Sequence, residues 1–254
     1  MDGPRIGNRR IEEAALRAWP AAVQILLDGW VVRISEGYTG RANSVTPLYA
    51  AQMPPDSKIE PCERLYAEHG LPCRFRMTTA VPDPHLDALL ARRGYARVAP
   101  TAVLTREVTE RDAVPNDPGE IRERSLVDWL DLFSRLKQAP PLDHARHGRI
   151  LAAVPGAMRL VVRSGAGRDV ACGMAVLGEA LLGLFDLVTD PAHRRRGHAR
   201  ALAADLLAWG ARRGARLAYL QVMRDNAPAL RLYEKLGFRE AYGYWYRVPP
   251  GTMR

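Results

Sequence analysis

The chain repeats its own pattern, and that constrains its fold more than any single motif does. Shifted by 143 residues, Glu36 falls on Glu179, Gly40 on Gly183, and Val45-Thr46 on Val188-Thr189. The same shift sets Leu89 on Leu232, Gly94 on Gly237 and Tyr95 on Phe238, and Gly70 meets Gly214 one residue further along. The identities are sparse. The offset nevertheless barely drifts while the apolar patterns stay in step, as an internal duplication would leave them. A polar stretch with two prolines, "TERDAVPNDPGE" at 109–120, separates the halves. Such punctuation marks a connection, not an element. The expectation is two units, 1–110 and 120–254, joined by a linker at 111–119.

Both halves alternate helix and strand patterns. The first half reads as helices at 9–19, 59–69 and 84–93. Its strands are a pair across 30–46, one at 73–77 and a last pair near 95–108. The second half reads as helices at 126–136, 142–154, 197–213 and 227–236. Its strands are placed at 158–164, 170–177, 182–188 and 217–222, with a last one through Trp245. This order implies an α/β fold in each half. The longest apolar run, 170–188, carries Glu179, Asp186 and three glycines. It therefore reads as two strands about a turn at Gly178-Glu179 and not as a membrane span.

Charge invites a nucleic-acid reading, since the formal net charge is +9. Only Lys58, Lys137 and Lys235 are lysines among 37 basic residues, and the arginines are scattered among acidic residues. That argues for compositional bias over a basic binding face, and no nucleic-acid or membrane partner is expected. Cys62, Cys73 and Cys172 are odd in number and lack metal-ligand spacing, which suits free thiols in a reducing cytoplasm. No metal is expected either. His144 and His147 are three apart on a helix pattern, without a third ligand nearby, and read as solvated surface.

The chemistry gathers in "TDPAHRRRGHARAL", 189–202. An apolar strand pattern leads into it and an alanine-rich helix follows. Gly197 lets the backbone approach a ligand closely. The helix's first-turn N–H groups are unpaired and partly positive, a ready anion site. Arginine adds directed, charge-assisted hydrogen bonds. Further on, "NAPALRLYEKLGF" at 226–238 sets Asn226, Ala229, Leu230 and Tyr233 on one helix face. Asn226 suits an N-cap and Gly237 ends the helix.

Arg194-Arg195-Arg196-Gly197-His198-Ala199 resembles the acyl-CoA pyrophosphate motif of the GNAT (N-acetyltransferase) superfamily, Gln/Arg-x-x-Gly-x-Gly/Ala. The stretch from Asn226 to Phe238 resembles that superfamily's second signature. The resemblance spans about 121–248 and implies two GNAT-like domains, each a twisted mixed β-sheet flanked by helices, the first a degenerate copy. It implies that backbone groups of Leu187, Val188 and Thr189 bind the pantetheine arm like an added strand. The diphosphate would rest on the amides of Arg195, Arg196, Gly197, His198 and Ala199, helped by Arg194, with Asn226 on the other side of the arm. His193 and His198 would line the phosphate site. Tyr233 would protonate the departing thiolate.

The function so implied is transfer of an acyl group, acetyl above all, from acetyl-CoA to a primary amine on a small molecule or peptide. A homodimer is compatible with this. The alternative is a catalytically weak acyl-CoA-binding sensor. The general base stays open: Gly183 stands where some relatives carry Glu, which leaves Glu179, Asp186 or a water relay.

Overall fold

The computed structural model describes residues 7–114, 121–165 and 167–252. The first half runs α1 (Asn8–Ala18), β1 (Val23–Leu27), β2 (Trp30–Ile34), β3 (Val45–Pro47), α2 (Pro55–Glu68), β4 (Phe75–Thr78), α3 (Pro84–Arg92) and β5 (Ala96–Glu107). Next come β6 (Ile121–Glu123), α4 (Leu126–Lys137), α5 (Pro141–Ala152), β7 (Ala157–Gly165), β8 (Arg168–Gly178) and β9 (Leu181–Thr189). The chain then adds α6 (His198–Ala211), β10 (Leu217–Met223), α7 (Ala227–Lys235) and β11 (Arg239–Val248). Among the described residues, no helix is long and apolar enough to cross a membrane.

These elements group into two compact units. One comprises Met1–Val103, Val222–Ala227 and Glu240–Arg254, the other Leu104–Gln221 and Pro228–Arg239. The division differs from the sequence boundary at one place in the first half and at two in the second, where Val222–Ala227 and Glu240–Arg254 join the first unit. The last strand, β11, belongs almost wholly to the first unit, and the final residues of β5 belong to the second. Strand pairing joins residues remote in sequence, and no local pattern reports it.

In the first unit the strand order is β1-β2-β3-β4-β11-β5. Pairs β1–β2, β2–β3 and β4–β11 are antiparallel, and β3–β4 is parallel, so the sheet is mixed. Its core is built from Trp30, Val32, Ile34 and Phe75 on strands, and from Ile59, Tyr66, Leu86 and Leu90 on helices. Phe75 meets Trp30 and Tyr95 edge-on, at 5.7 Å in each case, the geometry aromatic quadrupoles favour. Two buried cations are paired with carboxylates: Arg76 holds Glu12, and the fully buried Lys58 donates to Asp28 Oδ2 at 3.0 Å and to its carbonyl at 2.8 Å.

In the second unit the order is β5-β10-β9-β8-β7-β6. Here β6–β7, β7–β8 and β8–β9 are antiparallel and β9–β10 is parallel. Ser125 caps α4 by accepting from the Asp128 N–H, which satisfies one of the helix's orphan donors. The buried face of α4 carries Trp129, Leu132, Phe133 and Leu136. Trp129 Nε1 donates to the carbonyls of Val161 and Gly173, anchoring the helix to β7 and β8. Helix α6 lies close on β9 because Gly210 has no Cβ; one there would stand 2.5 Å from a Leu182 methyl.

Some elements 143 residues apart share backbone detail. Helices α2 and α6 begin and end 143 residues apart, and so do α3 and α7. Glu36 and Glu179 are both left-handed, with φ of 50° and 56°, and Gly94 and Gly237 have φ of 82° and 83°. Each of these glycines ends its helix the same way. Tyr95 N–H donates to the Leu90 carbonyl and Phe238 N–H to the Tyr233 carbonyl, both at 3.0 Å.

One local expectation is corrected and two strands are new. Strands β1 and β6 have no local signature in the sequence; β1 is exposed along most of its length. The expected strand pair near 95–108 is a single strand of 12 residues, with the turn-like Ala99-Pro100 absorbed as a left-handed kink at Ala99. The linker begins with a 3₁₀ turn, Glu110–Ala113, closed by reciprocal bonds between Thr109 and Asp112. The remainder of the linker, 115–119, lies outside the described residues.

Candidate active site

The site residues of the second unit cluster at the carboxyl end of β9. The parallel register of β9 with β10 runs from Leu181↔Leu217 to Leu184↔Leu220. Beyond it, Val188 pairs with Cys172 and Thr189 with Ala171 on β8. Leu187, Val188 and Thr189 are half-buried. Their edge away from β8 lies past the last registered pair with β10, where an extended ligand could add main-chain hydrogen bonds.

Downstream, a 3₁₀ turn at Pro191–His193 is tied by Asp190, which accepts from the Ala192 N–H. Asp190 also faces His193 and Arg168, and these bonds and charges hold its carboxyl below the usual range. Arg194, Arg195, Arg196 and Gly197 are exposed, His198 and Ala199 partly so. Arg195 is left-handed at φ 64°, and Gly197, the residue before α6, has φ 81° with no side-chain cap. A non-glycine residue in this region stores strain that surrounding structure must hold. The first-turn N–H groups of α6 thus open onto a turn lined with guanidinium groups, a donor set that fits a diphosphate. The His198 ring lies beside Gly165, and burial, then Arg163, His193 and Arg196, lower its pKa. His193 and His198 have ring centroids 6.5 Å apart.

Tyr233 is on α7, nearly buried and edge-on to Phe238 at 5.9 Å. Burial, and then the negative charge of Asp186, push its phenol up to about 12. The group therefore stays protonated at neutral pH, as a proton donor must. Asn226 is the residue before α7, and its N–H donates to the Met223 carbonyl. It groups with the first unit, whereas the other site residues group with the second.

One expectation about the histidines changes. His147 is not on the surface: it is 1% exposed, packed edge-on against Phe133 at 4.8 Å and Trp129 at 6.0 Å. Its Nε2 stands 3.0 Å from Asp186 Oδ2. The i, i+3 spacing could not tell which side of α5 faces the sheet, because alanine and glycine dilute the apolar stripe. His144 stays near the surface, bonded through Nδ1 to Ser134 Oγ at 2.8 Å. Asp186 itself lies in a β-bulge. The register passes from Cys172↔Val188 to Met174↔Phe185, leaving Asp186 and Leu187 opposite Gly173, with Asp186 at φ 51°. Bulges re-aim side chains in this way and gather at sites. Glu179 is exposed in the β8–β9 turn, as the sequence suggested.

A family model described as "Probable histone acetyltransferase Rv0428c C-terminal" matches residues 7–247. The "Uncharacterized N-acetyltransferase YobR" of Bacillus subtilis is 30% identical over 246 residues, covering 94% of this chain and 98% of the relative. The "Probable histone acetyltransferase Rv0428c" of Mycobacterium tuberculosis is 30% identical over 239 residues, covering 91% of this chain and 70% of that protein. In fold, the chain is similar to a GCN5-related N-acetyltransferase from Kribbella flavida, with TM-score 0.73, 17% identity and 97% of each chain covered. With nearly its whole length matched, the chain belongs to the Rv0428c C-terminal family and is an N-acetyltransferase of the GNAT type.

Proposed function

We propose that the protein moves an acetyl group from acetyl-CoA to a primary amine by direct transfer. The observation that carries this reading is the end of the β9–β10 ladder at Leu184↔Leu220, followed in the chain by the Gly197-led start of α6. In this reading Leu187, Val188 and Thr189 bind the pantetheine arm through their backbone. Arg194, Arg195, Arg196, Gly197, His198 and Ala199 hold the diphosphate. The neutral amine attacks the thioester carbonyl, a backbone N–H past Leu184 steadies the oxyanion, and Tyr233 protonates the sulfur as the C–S bond breaks, its phenolate then regaining the proton that the new amide nitrogen loses.

The first unit is read as a degenerate copy. Its helix α2, the counterpart of α6, starts at Pro54-Pro55. Proline has no N–H to offer a phosphate, and Leu90 stands where the second copy has Tyr233. The buried, unpaired thiols of Cys62, Cys73 and Cys172 support a cytoplasmic setting.

The acceptor is a small or peptide amine. Because one relative is named a probable histone acetyltransferase, a lysine peptide is the first to try. The test is a screen of amines for release of free CoA from acetyl-CoA, beside calorimetry of acetyl-CoA binding. Amine-dependent release with matching acetylated product supports the reading; binding heat without release for any amine contradicts it.

A further inference from the structure

The pair formed by Asp186 and His147 has no part in the reaction as described so far. Three elements of the second unit build it. The β-bulge opposite Gly173 turns Asp186 out of the regular alternation of β9. Helix α5 brings His147, and the rings of Trp129 and Phe133 on α4 fix the imidazole against the strand. The two groups are unequally covered. His147 keeps 1% of its side-chain surface, while Asp186 keeps 14% although its Oδ2 is enclosed. The imidazole thus backs the carboxylate from inside, and the exposed part belongs to Asp186. Two other titratable groups that feel the Asp186 charge, Tyr233 on α7 and Cys172 on β8, are held in their protonated forms by burial and then by that charge.

The other two positions the sequence raised for a base are worse placed. Gly183 leaves no room for a carboxylate, because a Cβ there would stand 2.5 Å from Phe185 and 2.7 Å from Tyr219. Glu179 is in the turn at the opposite end of β9.

We propose that Asp186 accepts the proton of the attacking amine and that His147 is its positioning residue. The proposal rests on the acetyl-transfer reading above. An ammonium N–H bond breaks, its electron pair stays on nitrogen for the attack, and the proton goes to the Asp186 carboxylate. A carboxylate alone is a weak base toward an ammonium, and the imidazole packed 3.0 Å behind Asp186 Oδ2 holds it in place while the proton it accepts passes on to water. Acceptor and donor would then sit on β9 and α7 of one unit, Asp186 for the nitrogen and Tyr233 for the sulfur.

The test uses the full chain and two acceptors: the best alkylamine of the screen, and an analogue fluorinated beside the nitrogen so that it is neutral at pH 7. Asp186→Asn keeps the side-chain shape. It is expected to lower kcat for the alkylamine about 100-fold, with a fall of less than about 5-fold for the neutral analogue and an unchanged calorimetric Kd for acetyl-CoA. Equal losses on both amines, or no loss, overturn the proposal while leaving the acetyl-transfer reading intact. A wild-type enzyme inactive on every amine removes that reading and the proposal with it. His147→Leu should reproduce the acceptor-dependent loss, and His147→Gln, which retains a hydrogen-bonding side chain, should recover part of it. A His147→Leu loss that is the same for both amines overturns the positioning role.

Discussion

Gly183 on β9 is paired in parallel register with Tyr219 on β10, and a Cβ added to it would lie 2.7 Å from the Tyr219 hydroxyl. The space above that glycine belongs to a buried phenol and to the Phe185 ring, which meets Tyr219 edge-on at 6.0 Å. Gly183→Ala should therefore destabilise the fold by about 1–3 kcal/mol, the usual range for overpacking. Gly183→Glu should cost more, since it also buries a charge, and should not raise turnover. Urea unfolding of both variants checks this. A Gly183→Glu protein as stable as wild type, or faster, would show that the two rings give way and that a carboxylate fits there.

Gly197 presents a different case, because a Cβ there meets nothing within 4 Å. Only its left-handed φ of 81° resists substitution. Gly197→Val should cost stability by about 1–2 kcal/mol through backbone strain and move the amides at the start of α6. At acetyl-CoA near 100 times Kd, wild type should gain about 2.7 kcal/mol of stability, and the variant should lose most of that gain. Thermal melts with and without acetyl-CoA measure both effects. An undiminished shift in the variant would place the diphosphate elsewhere.

The sequence showed α2, α3, α6 and α7 well because their signals are local. Periodic apolar residues run along each helix, and a glycine closes each of the last-turn bonds at Gly94 and Gly237. The arginine-glycine turn was legible for the same reason. What stayed hidden depends on remote partners. Nothing near Arg239 or Val248 says that β11 pairs with β4, Tyr244 opposite Thr78. Strand β1 has apolar residues on exposed positions, so alternation gives no sign of a buried face. His147 looked solvated because arginine and glycine flank it in sequence, although it shares a buried face of α5 with Ile150 and Leu151. The bulge left no mark in the composition of β9.

Asp28 offers a pH-dependent check on the first unit. Its carboxylate accepts from the Gln52 and Met53 N–H groups and from Lys58, and these bonds bring it down to about 2 from 3.8. Between those values the unfolded chain binds the proton more tightly than the folded one. The stability contributed by Asp28 is therefore complete above pH 4 and lost as pH falls toward 2. Asp28→Asn should flatten that part of the acid-unfolding curve while lowering stability at neutral pH, where Lys58 loses its charged partner. Denaturant titrations at stepped pH follow the slope directly. An unchanged slope between pH 4 and 2 would assign the acid sensitivity to other carboxylates.

Tyr233 is expected to matter to turnover more than to binding. A thiol of pKa about 8.5 is a fair leaving group without help, so Tyr233→Phe should lower kcat by roughly 10- to 100-fold, within the range of a single proton donor, and not abolish it. The calorimetric Kd for acetyl-CoA should change little, since Phe keeps the ring and its edge-on packing with Phe238. The phenol's ordinary value is 10.0, and the fold raises it to about 12. The folded state thus holds the proton more tightly, and the resulting stability is present below pH 10 and fades as pH rises toward 12. Tyr233 therefore contributes no alkaline limb to the pH–rate profile below pH 10, and Tyr233→Phe should keep the shape of that profile while lowering its height. A variant with wild-type kcat and weakened acetyl-CoA binding would make Tyr233 a packing residue of the pantetheine channel, and the proton for sulfur would then have to come from water.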